Sequence, residues 1–302
     1  MEIMKLDNDI KQSFVFKEII IRFRQSLLKI FKPSDCDTVS TANGMNIVLI
    51  TDKDYFVPTC VTLFSLLKTQ RADTHIYIIC DNMENTYSDK FLKINNPHKI
   101  QITIVPASEQ YLKLQANHPY ISKAALQKFS IPELICEDKV LYLDTDIVVK
   151  KSLLNLYSED IDNCYARVCE DLICKYEHKD NERIGNSLYF NSGIMLLNLK
   201  KMREEKITEK LIEYFKKDKL CKYMDQDSFN CVFGEKVKYA DITYNYFPIY
   251  EKRKKMYKEL SKVKKPVIIH YAGDKPWKNA KIRLANEWIY LYKKLFSSDE
   301  FL

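Results

Sequence analysis

Short apolar runs alternate with helical stripes along this chain, and the alternation predicts its architecture. Residues 46–51 read Asn-Ile-Val-Leu-Ile-Thr, and 74–80 and 101–105 are similar β-branched runs, the pattern of buried strands. Between them apolar residues recur at three- and four-residue spacing, first through Leu67 and again over 88–94, which predicts helices. A helix over 123–134 leads into the apolar run 140–149, read as one strand. Strands at 193–198 and 266–270 and a helix over 204–217 complete the pattern. Strand–helix alternation of this kind predicts an α/β fold, a mostly parallel central sheet flanked by helices. Ligands of such sheets bind outside the carboxyl ends of the strands.

Ahead of this body, residues 11–32 place Phe16, Ile19, Ile20, Phe23, Leu27, Ile30 and Phe31 at helical spacing, with Lys17, Arg22, Arg24 and Lys29 between them. That is a basic amphipathic helix, too interrupted by charge to span a bilayer. It suits docking or self-association on protein, or peripheral contact with an anionic membrane surface. A polar linker over 33–44 follows, so the expected division is an N-terminal segment, 1–44, and one catalytic domain, 45–302.

At 302 residues the chain has room for a proper core, and its net charge of +7 is modest. The basic excess gathers in the N-terminal segment and over 252–265. No zinc-finger, helix-turn-helix or RNP-like pattern accompanies it, so nucleic acid is not an expected partner. Nine cysteines, an odd count without C-x2-C spacing, suit reduced thiols rather than a disulfide framework or a zinc site. With no recognisable signal peptide, the expected compartment is the cytoplasm, peripherally on the inner face of the plasma membrane if residues 11–32 bind lipid.

The run 140–149 carries two carboxylates, Asp144 and Asp146. In a strand, residues i and i+2 share a face, and two adjacent anions need a cation between them. A divalent metal at a strand end, of the kind that holds phosphates, is the expectation. The plain alternative is a pair of solvated turn aspartates. Three later motifs weigh on this: Phe190-Asn191-Ser192-Gly193 before an apolar run, Asp225-Gln226-Asp227 opening a helix, and His270-Tyr271-Ala272-Gly273-Asp274-Lys275-Pro276-Trp277 closing a strand.

In that order the motifs resemble glycosyltransferase family 8, the retaining GT-A enzymes that include bacterial lipopolysaccharide galactosyl- and glucosyltransferases and glycogenin. The likeness runs from about Met45 to Trp277. It implies the Rossmann-like GT-A fold and a metal held by Asp144, Asp146 and His270. An imidazole among oxygens suits Mn2+ better than Mg2+, which stays possible. The resemblance also implies a UDP-hexose donor contacted by Thr51, Asp52, Asp54, Tyr55, Lys128, Asp144, Thr145, Asp146, Asn191, Ser192, Asp225, Gln226, Gly273 and Lys275. A glycan or lipid-linked oligosaccharide acceptor would be met by Asp171, Tyr120, Tyr223 and Pro248. Two departures stand out: Lys128 replaces the family's usual arginine, and one residue rather than two separates Gly273 from Lys275.

The resemblance places Gln226 and Asp225 at the reacting sugar. A neutral amide is a poor nucleophile, so a double displacement is disfavoured, although the Gln226 oxygen could stabilise positive charge at the anomeric carbon. The residues alone leave other roles open: Asp52 as a helix cap, Lys275 as a surface lysine, Asp171 as a loop aspartate. Two rival functions also stand: a haloacid-dehalogenase-like phosphatase with Asp144 as nucleophile, and a non-catalytic nucleotide-sugar-binding scaffold.

Overall fold

A computed structural model of the chain describes residues 44–71, 73–80, 85–94, 96–112, 123–185, 188–217 and 222–296. The helix expected over 11–32, nearly all of the linker and Tyr120 lie outside the described residues. The strands are β1 (Met45–Thr51), β2 (Thr74–Cys80), β3 (Gln101–Pro106), β4 (Lys139–Leu143), β5 (Ile147–Val149), β6 (Ala166–Glu170), β7 (Phe190–Asn198), β8 (Val237–Tyr239) and β9 (Ile268–His270). Among the described residues the α-helices of six residues or more are α1 (Phe56–Thr69), α2 (Asn85–Leu92), α3 (Leu199–Glu204), α4 (Ile207–Lys217), α5 (Asp225–Phe233) and α6 (Ala285–Phe296).

Seven strands form one sheet in the order β3-β2-β1-β4-β7-β6-β8, and β5 and β9 form a separate antiparallel pair. β7 runs antiparallel to both its neighbours, and the other adjacent pairs are parallel. The sheet is therefore mostly parallel, as expected, with one reversed strand. Alternate residues feed two cores. Ile47 and Leu49 of β1 face one with Leu63, Leu67 and Trp288, while Val48 and Ile50 face the other with Phe129, Phe229 and Phe233. Helices α1 and α6 thus cover one face and α4 and α5 the other. Strands buried on both faces read as continuous apolar runs, which is why β1, β2 and β4 were legible.

The run 140–149 is two strands rather than one. β4 ends at Leu143, residues 144–146 turn out of the main sheet, and β5 pairs with β9. Asp144 and Asp146 are thus brought together by a turn between two sheets, not by the period of a strand. Burying ionised carboxylates inside a paired strand would be costly; the turn delivers both to a cleft. The helix expected over 123–134 is a 3-10 helix, Lys123–Ser130, followed by one α turn, Ile131–Leu134. Pro132 has no N–H to donate back to Lys128, so a continuous α-helix cannot pass through it. The helix expected over 204–217 is α4, Ile207–Lys217, which starts only after Lys206 takes a left-handed conformation with φ of 52°. Several elements went unread, among them β6 and β8, which are too short for a pattern, α3, and α6, which follows the last motif.

Candidate active site

The turn after β4 is built from behind by α1. The Thr62 hydroxyl lies 2.8 Å from the carbonyl of Thr145 and 2.9 Å from that of Ile147, and the Asp144 amide donates to Gly193 O of β7 at 2.7 Å. β9 pairs with β5 so that His270 lies opposite Ile147, next to Asp146. The oxygens and nitrogen of Asp144, Asp146 and His270 consequently fall within 4.8 Å of one another. His270 Nε2 is 3.2 Å from Asp146 Oδ1 and 3.7 Å from Asp144 Oδ2. The remaining carboxylate oxygens are held elsewhere. Tyr142 donates to Asp144 Oδ1 at 2.5 Å, with Lys128 Nζ 3.2 Å from the same atom, and Lys275 pairs with Asp146 Oδ2. Two oxygens and one imidazole nitrogen are left converging, the mixed donor set of a borderline divalent cation.

Gly193 leaves room for this convergence. A Cβ there would overlap the His270 ring and sit 2.6 Å from Asp144 Oδ2. Burial would push the Asp146 carboxyl up, but the Lys275 ammonium and the His270 ring outweigh it and hold it well below the usual carboxylate range. Burial likewise works against the Lys128 ammonium, and Asp144 and Asp225 reverse the effect and raise its pKa. Lys128 Nζ is 2.8 Å from Asp225 Oδ2, which also accepts from the Ser192 hydroxyl at 2.8 Å.

These residues line a cleft of about 310 Å³ together with Thr51, Asp52, Tyr55, Thr145, Asn191, Ser192, Tyr223, Gln226 and Gly273. Asp52 also serves the turn into α1, its Oδ1 accepting from the amides of Asp54 (3.0 Å) and Tyr55 (2.9 Å). Tyr55 stands edge-on to Trp277, with ring centroids 5.9 Å apart. Asp54 does not join the cleft: it is exposed, on the outer side of the turn. Lys128 does reach the cleft wall, but its charge faces two carboxylates rather than open space, because a buried ammonium must be paired.

Gln226 sits at the start of α5, where Met224 takes a positive φ of 42°, a conformation sparsely populated by non-glycine residues and frequent at functional sites. Its Oε1 turns inward, accepting from Asn191 Nδ2 at 2.8 Å and the Ser192 amide at 3.2 Å. Its Nε2 points toward Asp171 Oδ2, 3.4 Å away. The Gln226 oxygen is thus engaged in the cleft wall, and its amide nitrogen bonds the Asp171 carboxylate. Burial raises the Asp171 carboxyl, while the backbone amides of Cys174 and Ile173 and the Gln226 amide pull the other way.

A second cleft of about 550 Å³ adjoins the first, sharing Asn191, Tyr223, Gln226, Ala272 and Gly273. Asp171 and Pro248 line it, so three of the four residues expected at an acceptor pocket share one wall. Cys174 and His178 of its lining form, with Asp180, a further group of ligand-type side chains. It already has a cation in Lys222, 3.3 Å from Asp180, and His178 bonds the Tyr223 hydroxyl at 2.9 Å.

Sequence reasoning missed Tyr142, Asn230 and Asn245. Asn230 ties α5 to β7 through both backbone groups of Phe190, and Asn245 links His270 to Asn191. The available signal was a polar residue inside the aromatic stretch Tyr244-Asn245-Tyr246-Phe247, since a buried asparagine must find partners.

A mostly parallel sheet that brings an Asp-x-Asp turn, an imidazole and a lysine to one cleft, with a second cleft beside it, defines a nucleotide-sugar-dependent glycosyltransferase of the GT-A type. The chain belongs to glycosyl transferase family 8, whose model matches residues 46–281. It is 30% identical over 239 residues to a putative glycosyltransferase of Haemophilus influenzae, covering 76% of this chain and 71% of the relative. It is 27% identical over 254 residues to the lipopolysaccharide 1,2-glucosyltransferase of Escherichia coli K12, covering 79% and 74%. The crystal structure of the galactosyltransferase LgtC in complex with donor and acceptor sugar analogues superposes with a TM-score of 0.76 at 25% identity, over 85% of this chain and 98% of that one. The protein is thus a sugar-transferring enzyme with a nucleotide-sugar donor and a glycan acceptor, and the phosphatase and scaffold readings are not favoured. Among the described residues no helix is long and apolar enough to cross a membrane.

Proposed function

We propose that this protein moves glucose or galactose from its UDP-sugar to a bacterial cell-surface glycan of the lipopolysaccharide type, with retention of configuration and dependence on Mn2+. The observation that carries the reading is the convergence of Asp144 Oδ2, Asp146 Oδ1 and His270 Nε2 in a cleft that opens into a second at Gln226. Asp144, Asp146 and His270 would hold the divalent cation, which would supply Lewis-acid stabilisation of the departing diphosphate. Lys275 and the Gly273 backbone close over that diphosphate, Thr51, Asp52 and Tyr55 face the nucleoside, and Asn191, Ser192, Asp225 and Gln226 surround the sugar. Asp171, Tyr223 and Pro248 form the acceptor wall, with Tyr120 assigned there from the resemblance alone.

Retention without a covalent intermediate is supported by the state of the two candidate nucleophiles. Gln226 is a neutral amide with its oxygen turned away, and the Asp225 carboxylate is held by Lys128 and Ser192. In the proposed step the acceptor oxygen bonds to the anomeric carbon on the face the phosphate leaves. The carbon–oxygen bond to the diphosphate breaks with its electrons, and the acceptor's proton passes to the departing phosphate oxygen. We place the enzyme in the cytoplasm, with residues 11–32 as its contact with the inner membrane face or a second copy.

Donor hydrolysis with Mn2+ tests the reading across UDP-glucose, UDP-galactose and their N-acetyl forms. The expected result is turnover of one hexose donor, abolished by chelation and restored by Mn2+. Failure of every donor to bind or react, or trapping of a covalent sugar on Asp225, would overturn it.

A further inference from the structure

The orientation of the His270 ring traces back, bond by bond, to two backbone amides. A backbone N–H can only donate, so the Gly193 amide, 3.0 Å from Asn191 Oδ1, fixes which end of the Asn191 side chain is oxygen. The Ser192 amide, 3.2 Å from Gln226 Oε1, fixes the Gln226 side chain in the same way. The two assignments agree, because Asn191 Nδ2 then donates to Gln226 Oε1 at 2.8 Å. Asn191 Oδ1 also receives Asn245 Nδ2 at 2.9 Å, so Asn245 turns its oxygen to His270 Nδ1, 2.8 Å away. An oxygen at that position requires a proton on Nδ1. Nε2 is then the nitrogen left to face Asp146 and Asp144, and with a cation between them it is the one whose lone pair can ligate. Asn245 is 1% exposed and His270 2%, so water is not available to supply the same bond.

We infer that Asn245 is a positioning residue for the metal site: it holds His270 as the tautomer that can ligate through Nε2, and through Asn191 it ties that choice to the orientation of Gln226. Outer-shell partners of metal-bound histidines act in this way, and their loss commonly weakens metal binding by about 10- to 100-fold. Asn245 touches neither donor nor cation. The same asparagine pair explains why the Gln226 nitrogen faces the clefts, since flipping any one amide in the series would set two donors or two acceptors against each other.

The inference rests on the metal reading of the site, and the tests separate the two. In the metal-free wild type, side-chain 15N correlation spectra, with His270 assigned by its loss in His270→Gln, should show a proton on Nδ1. A proton on Nε2 instead overturns the inference whether or not metal binds. Mn2+ titration by electron paramagnetic resonance then tests the consequence. Asn245→Leu, which removes both bonds, should weaken Mn2+ at least about 10-fold and release the tautomer preference. Asn245→Asp, which keeps an acceptor oxygen for Nδ1–H but loses the donor to Asn191 Oδ1, should keep the Nδ1 proton and bind Mn2+ more tightly than the leucine variant. Wild-type affinity in the leucine variant overturns the inference, as does a folded aspartate variant that keeps the Nδ1 proton yet binds Mn2+ no better than Asn245→Leu. Absence of Mn2+ binding in the wild type would instead remove the metal reading and, with it, this role for Asn245.

Discussion

Replacing Gly193 by alanine tests the site's geometry with a single methyl group. The built Cβ lies 2.6 Å from Asp144 Oδ2 and 3.0 Å from Asn191 Oδ1, and it overlaps the His270 ring. The glycine is not needed for a left-handed backbone, because Gly193 is absent from the positive-φ glycines; the conflict is purely one of space. His270 cannot retreat, since it is buried, bonded to Asn245 and packed edge-on against Phe247 with centroids 5.3 Å apart. Asp144, with a side chain 26% exposed, is the group that can yield. Its movement strains the bonds from Tyr142 and Lys128 and carries Oδ2 away from the other two ligands. Overpacking of this kind costs about 1–3 kcal/mol, equivalent to a melting shift of about 2–4 °C per kcal/mol in a large domain. Displacing a whole ligand should exceed the outer-shell effect, so Mn2+ affinity is expected to fall by more than about 10- to 100-fold. Thermal melting and Mn2+ titration on the same preparation measure both. A folded Gly193→Ala protein with wild-type Mn2+ affinity would refute the reasoning.

Three further perturbations probe the charges around the site. Asp146→Asn removes a ligand atom's charge and the carboxylate partner of Lys275, whose ammonium keeps the Tyr271 carbonyl as acceptor; Mn2+-dependent donor hydrolysis should drop by more than about 100-fold, and unchanged hydrolysis would contradict the metal role. Lys128→Met leaves the Asp144 and Asp225 carboxylates without their shared cation, so urea unfolding should register a loss of about 3–5 kcal/mol, largely recovered in Lys128→Arg; a loss below about 1 kcal/mol would show that the buried pairing matters little. Glu177 is held below the ordinary glutamate range by hydrogen bonds from Arg253 and Tyr257. A depressed carboxyl contributes stability that is present above the unfolded-state value of about 4.3 and lost as pH falls through the lower folded value. The gap in stability between wild type and Glu177→Gln should therefore be largest near neutral pH and shrink in acid, and a gap that widens in acid would reverse the assignment.

How far the sequence disclosed the site depends on how locally each residue's role is encoded. β1, β2 and the stretch 193–198 of β7 were legible because strands buried on both faces become unbroken apolar runs. The motif residues were legible because each sits where such a run stops, and a polar residue at that point has a cleft to face. What stayed hidden depends on contacts between distant segments. Asp144 and Asp146 share a site because Thr62 of α1 and Gly193 of β7 hold the turn between two sheets, and no period within 140–149 encodes that. Asp54 belongs to the same short motif as Asp52, yet the turn tied by the Asp52 carboxylate sends it outward. Lys128 keeps the positive charge expected of its position, but burial decides what that charge must face.

Asn245 shows the limit most plainly. It is 25 residues from His270 and 54 from Asn191, and its side chain means nothing until folding sets it between them. Its contribution is a polarity: the direction in which donors and acceptors alternate from the Gly193 and Ser192 amides to the His270 ring. That direction follows from the conformation of residues 191–193, the motif that the sequence did display. Asn-Ser-Gly can therefore be understood as more than sugar contacts. Its asparagine and two backbone amides orient the side chains on either side of the cleft, and its glycine vacates the space in which the carboxylate and the imidazole meet. The motif and the distant imidazole form one device, and a change in either should be felt at both.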